Sequence, residues 1–113
     1  MAAKSKRRTE RNISFEIKTQ KPLSVGEQVF VTGNINMLGN WHPDGFPLTR
    51  MGENLWFGSA IVPADAVVEF KVTRGSWDDE EVLEDGTAPV NGIIRAGGDS
   101  TVRKIVVGWK DGR

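Results

Sequence analysis

Residues 12–18 read Asn-Ile-Ser-Phe-Glu-Ile-Lys (NISFEIK), an unbroken alternation of polar and apolar side chains. Successive side chains of an extended chain point to opposite faces. Ile13, Phe15 and Ile17 therefore share one face, and Ser14, Glu16 and Lys18 the other. A strand with one apolar face has to lie against a second layer. Outward from it the period of two recurs. QVFVTGNI (28–35) sets Val29 and Val31 against Phe30, and NLWFGSAIV (54–62), AVVEFKVTR (66–74), EEVLE (80–84) and NGIIRA (91–96) follow. STVRKIVVGW (100–109) alternates Val102, Lys104, Val106 and Gly108 against Arg103, Ile105 and Val107. KPLSVGE (21–27) is a turn, and a long polar loop separates the second strand from the third. No stretch of ten residues carries a helical period. Seven short strands divided by Gly, Pro and Asp clusters define an all-β fold, an antiparallel seven-stranded immunoglobulin-like β-sandwich.

At 113 residues the chain is long enough for one domain with one hydrophobic core. It has no cysteine, so no disulfide and no thiolate metal site or nucleophile is expected, and a reducing compartment is allowed. The net charge of zero hides an asymmetry: Lys4, Lys6, Arg7, Arg8 and Arg11 against Glu10 give the first eleven residues a charge of +4 and leave −4 for the rest. A basic run without interleaved aromatics reads as a solvated leader rather than a nucleic-acid contact. The expected organisation is a disordered basic tail over residues 1–11 and one sandwich over residues 12–110. No apolar run approaches the roughly 18 residues of a membrane span, and the start lacks the apolar segment of a secretory signal. The expectation is a soluble, cytoplasmic, monomeric protein with no nucleic-acid or membrane partner.

Catalytic chemistry finds little footing. The single His42 has no Ser- or Cys-centred motif near it. The acidic run Asp78, Asp79, Glu80, Glu81, Glu84 and Asp85 lacks the ligand spacing of a calcium loop, and a glycosidase carboxylate pair would need a deep cleft that seven short strands do not build. It reads as solvated strand ends. GNINMLGN (33–40) has glycines but no Lys-Ser/Thr and no following helix, so it is not a phosphate cradle. No cofactor and no metal are expected.

The four tryptophans divide into two kinds. Trp56 and Trp109 lie in or at the end of apolar strands, where burial of a large aromatic is the simplest account. Trp41, in LGNWHPD (38–44), and Trp77, in VTRGSWDDEE (72–81), lie in loop-like sequence. Either they plug the open ends of the sandwich, or their flat faces stack on sugar rings whose hydroxyls are bonded by Asn40, Lys71, Asp78 and Asn91.

The stretches VFVTGNINMLGNWHPDGFPLT (29–49) and NLWFGSAIVPADAVVEFKVTR (54–74) resemble the starch-binding domains of carbohydrate-binding module family 20. The most specific matches are Leu38-Gly39-Asn40-Trp41, Leu55-Trp56 and Glu69-Phe70-Lys71, in the family's order and spacing; related glycogen-binding modules share several of them. The resemblance implies that Trp41 stacks on a glucose of an α-1,4-glucan, that Lys71 bonds its hydroxyls and that Asn91 bonds them as well. Where the family carries a second stacking tryptophan this chain has Leu83, which offers no flat face, and Trp77 is the replacement expected from the adjoining loop. The family's other site uses tyrosines; this chain has none, and Val25 stands at the matching position, so that site is expected to be missing. FKVTRGSWDDEEV (70–82) is also similar to carbohydrate-module-like domains at the front of some bacterial esterases. In that reading Trp77 packs with Arg74.

Three functional classes follow. The first is a non-catalytic module binding starch, glycogen or maltooligosaccharide through Trp41, Lys71, Trp77 and Asn91, with a fused or associated enzyme as a possible partner. The second is a protein-interaction or structural domain that kept the fold and lost sugar binding, for which Leu83 and the absent tyrosines speak. The third, a hydrolase, has no catalytic set.

Overall fold

The computed structural model describes residues 9–112. In chain order its strands are β1 Glu10–Thr19, β2 Phe30–Gly33, β3 Phe46–Pro47, β4 Thr49–Arg50, β5 Leu55–Pro63, β6 Val67–Thr73, β7 Glu81–Val82, β8 Gly92–Arg95, β9 Ser100–Val106 and β10 Gly108–Trp109, with 3-10 turns at Asn36–Leu38 and Trp77–Asp79. One sheet has the order β4-β5-β1-β9, the other β3-β2-β6-β8, and β7 pairs with β10 in a two-stranded ribbon. All pairings are antiparallel except β1 with β9, which run parallel from Ile13↔Ser100 to Thr19↔Val106.

The alternation read in NISFEIK becomes the core. Ile13, Phe15 and Ile17 are fully buried, and the Phe15 ring meets Phe70 of the opposite sheet edge-on at 5.3 Å between centroids and Phe46 at 6.5 Å. Those contacts make the two sheets a sandwich. Val29, Val31, Val68, Val72, Ala60, Val62 and Val106 complete the interior. Each such side chain stabilises the fold by about 1.5–3 kcal/mol on burial, before the entropy of ordering it is subtracted.

All seven strands expected from the sequence are present. Three details differ. The seventh run divides: β9 stops at Val106, and Gly108–Trp109 leaves the sheet to pair with β7. The region read as one long loop contains β3 and β4, each two residues and too short for a period to register. Glu10 and Arg11, assigned to the basic tail, belong to β1; Glu10 pairs with Pro63 and Arg11 with Val62. The rest of that tail, apart from Thr9, lies outside the described residues.

Trp56 and Trp109 are 1% and 4% exposed, as expected of core aromatics. Each also carries a guanidinium over its ring: Arg50 at 5.1 Å from Trp56 and Arg74 at 5.3 Å from Trp109. Arg50 is locked in place by donating to the carbonyl oxygens of Leu23, Ser24, Gly52 and Glu53. Among the described residues no helix is long and apolar enough to cross a membrane.

Candidate functional site

Trp41 sits in an unusual piece of backbone. Among the described residues only Asn40, Trp41 and Asp65 are non-glycine residues with positive φ, at 49°, 68° and 65°. Two consecutive residues of this kind, one of them a bulky aromatic, are costly and persist only where the surroundings hold them. The hold is visible. Trp41 N–H donates to the Gly33 carbonyl at 2.8 Å and Asn40 N–H to the Ile35 carbonyl at 3.1 Å. The Asn40 side-chain amide donates to Asn36 Oδ1. His42 donates through its backbone N–H, at 3.0 Å, and through Nδ1, at 2.6 Å, to the carbonyl of Gly39. The lone histidine thus props the loop.

Glycine makes the fold-back possible. A Cβ on Gly39, which has φ +81°, would lie 2.4 Å from Gly45 Cα, and one on Gly33 would lie 2.3 Å from the Glu69 carbonyl oxygen. The loop over residues 34–45 closes on itself and against β6, where Thr73 Oγ1 donates to the Pro43 carbonyl. Leu38, fully buried, anchors it from below. Trp41 is left half-buried on top.

Next to this loop lies the outward face of β6. Phe70 turns inward, so Glu69 and Lys71 turn outward, and Lys71 lies beside Thr32 on β2. Lys71 Nζ donates to the Pro89 carbonyl at 2.8 Å and to Glu80 Oε2 at 3.2 Å. An ammonium has three N–H donors, so one remains for a ligand. Asn91 Nδ2 donates to Glu69 Oε1 at 3.1 Å, leaving its carbonyl oxygen as an acceptor. A polyol can use a donor and an acceptor of this kind.

Trp77 opens the 3-10 turn that follows β6. Ser76 and Asp79 cap that turn reciprocally, and Asp79 Oδ1 accepts from the backbone N–H of Arg74 at 3.1 Å and of Ser76 at 3.0 Å. Glu80 N–H donates to the Trp77 carbonyl at 3.4 Å, tying the turn to the residue that holds Lys71. The indole is half-buried. The Arg74 guanidinium lies over the ring of Trp109.

Lys71 lies on the outward face of β6 and Asn91 is bonded to Glu69 of the same strand, while the backbones of Trp41 and Trp77 are bonded to Gly33 and Glu80. Leu83 is exposed just beyond β7, and Val25 is almost fully exposed in the β1–β2 turn.

The acidic run is not uniformly solvated. Asp79 caps a turn and Glu80 is only 13% exposed, paired with Lys71. Glu81 is buried, with its carboxylate 3.0 Å from Lys104 Nζ; burial pushes its pKa above the ordinary carboxylate value against the pull of Lys104. Asp78, Glu84 and Asp85 do face solvent. Glu69, Glu80 and the Pro89 carbonyl were missed as site components because each partner lies across a loop or a strand, where no local spacing marks it.

Residues 10–93 match the model of the starch binding domain family. The chain belongs to that family. Carbohydrate-binding modules of family 20 are non-catalytic, and a carbohydrate-binding role is the one this membership supports. The chain is similar to an alpha-amylase of Niallia circulans, 30% identical over 101 residues, covering 88% of this chain and 8% of that protein. It is also similar to a beta-amylase of Bacillus cereus, 34% identical over 60 residues, covering 50% of this chain and 11% of that one. It thus spans about a tenth of the length of these amylases. The solved family 20 module of the maltotetraose-forming amylase from Pseudomonas saccharophila superposes with a TM-score of 0.61 at 24% identity, covering 83% of this chain and 98% of that one, so the two share a fold.

Proposed function

We propose that this starch-binding domain binds α-1,4-glucan on the outward face of β6, with the Trp41 indole stacked on a glucose ring, Lys71 and Asn91 bonding its hydroxyls and Trp77 as a second apolar wall. The observation that carries the reading is the strained Asn40-Trp41 backbone, held by a dedicated set of hydrogen bonds and glycine contacts that a mere end-plug would not need. The domain does no chemistry itself. Stacking and charge-assisted hydrogen bonds contribute about 1 kcal/mol each after desolvation, so dissociation constants from micromolar to millimolar follow. The tyrosine-based second site is proposed to be absent, because Val25 offers no flat surface. In its native setting the domain works as a monomer beside a fused or associated glucan-acting enzyme, a reading supported by its similarity to short stretches of two much longer amylases.

The test is titration of β-cyclodextrin into wild type and Trp41→Ala. Saturable binding that is lost in a folded Trp41→Ala supports the reading. Equal binding by both proteins overturns the role of Trp41.

A further inference from the structure

The acidic residue beside Lys71 has a consequence for ligand choice. Lys71 is only 19% exposed and Glu80 13%, so the pair is shielded enough for its geometry to be held. Two of the three ammonium protons are engaged, by Glu80 Oε2 and by the Pro89 carbonyl, which leaves a single donor in a fixed direction. Glu80 Oε1, the other oxygen of the carboxylate that holds Lys71, has no hydrogen-bond partner among the described residues. The backbone of Glu80 is pinned separately: its N–H donates to the Trp77 carbonyl, and its carbonyl accepts from Lys110 N–H at 2.8 Å. The carboxylate is thus set in place by the chain itself.

Charge follows from the same contacts. Lys71 is matched by Glu80, and Lys104 by Glu81, which also lies within the field of Lys71. Glu69, bonded to Asn91, adds a further negative charge on the face of β6. An unpaired lysine would attract any anion, whereas this one is neutralised and surrounded by carboxylates.

We propose that Glu80 is the positioning and selectivity residue of the glucan site: it aims the free Lys71 N–H at a sugar hydroxyl, and by cancelling the ammonium charge it makes the site prefer uncharged glucan to phosphorylated glucan. This rests on the glucan reading above. Glu80 acts through Lys71 and supplies Oε1 as an acceptor for a neighbouring hydroxyl.

The experiment compares wild type, Glu80→Gln, Glu80→Asp and Lys71→Gln. Each is titrated with β-cyclodextrin and with a maltooligosaccharide carrying one phosphomonoester, while backbone amides and the Lys71 side-chain 15N resonance are followed. Wild type should prefer the neutral sugar and show an ordered Lys71 ammonium. Glu80→Gln, which keeps size and backbone contacts, should shift the neutral-to-phosphorylated affinity ratio by about tenfold toward the phosphorylated ligand, and the shift should shrink as salt is raised. Glu80→Asp should retain the charge-based preference while losing affinity. An unchanged ratio in Glu80→Gln, with binding lost in Lys71→Gln, overturns the role of Glu80 and leaves the glucan reading standing. Wild type that binds neither sugar overturns both.

Discussion

Trp41 and Trp56 are the same side chain under two different constraints. Trp56 is buried beneath the Arg50 guanidinium, so Trp56→Ala removes a core aromatic and should destabilise the domain by about 3–5 kcal/mol, read as the shift in a urea unfolding midpoint. Trp41 is held by its backbone while its ring is half in solvent, so Trp41→Ala should lower glucan affinity at least tenfold while the unfolding midpoint moves little. The distinction between the two was legible in the sequence, since NLWFGSAIV is a strand and LGNWHPD is not. The partners of Lys71 were not legible. Glu80 lies nine residues on and Pro89 eighteen, both brought back by the turn after β6, and a run of four acids gives no sign that its third member faces a lysine and its fourth the interior.

At the scale of elements, periodicity decided the outcome wherever a strand has one buried face. β1, β5 and β6 each extend over seven residues or more, and their alternation carried through to the core. β3, β4 and β10 have two residues each and owe their pairing to the elements around them, which is why the loop that carries Trp41 could be placed but not shaped from sequence. That loop depends on glycine at a single crossing. With Gly39 at φ +81° and its Cβ position against Gly45, Gly39→Ala should cost about 1–3 kcal/mol and displace Trp41, so glucan affinity should fall together with thermal stability. A Gly39→Ala protein with wild-type affinity would show that the loop conformation does not set the site.

The whole molecule is closed by charge as well as by its core. Arg74, at the end of β6, donates to Glu27 at 2.5 Å and to Asp111, and stacks on Trp109, so the turn before β2, the end of β6 and the C-terminal segment meet at one buried guanidinium. Burial disfavours its charge, but the hydrogen bonds to Glu27 and Asp111 prevail and raise its pKa above the ordinary value. Arg74→Met removes the buried guanidinium that Glu27, Asp111 and Trp109 share and should cost about 3–5 kcal/mol in a denaturant titration. Glu81 sets a pH dependence of the opposite kind from most carboxylates. Its folded pKa is raised above the unfolded value, so the native state binds more protons between the two. Its contribution is fully present below the ordinary carboxylate range and is lost as pH rises through the folded pKa. The stability difference between wild type and Glu81→Gln should therefore decline as pH rises above the ordinary carboxylate range, followed by urea midpoints at each pH. The central claim, that the outward face of β6 is the glucan site, is tested most directly by titrating maltoheptaose into isotopically labelled protein and mapping the amide shifts. Saturating shifts centred on Trp41, Lys71, Trp77 and Asn91, with Val25 and Met51 unmoved, are the expected result; no shift at millimolar sugar, or shifts confined to the Val25 end of the sandwich, would contradict it.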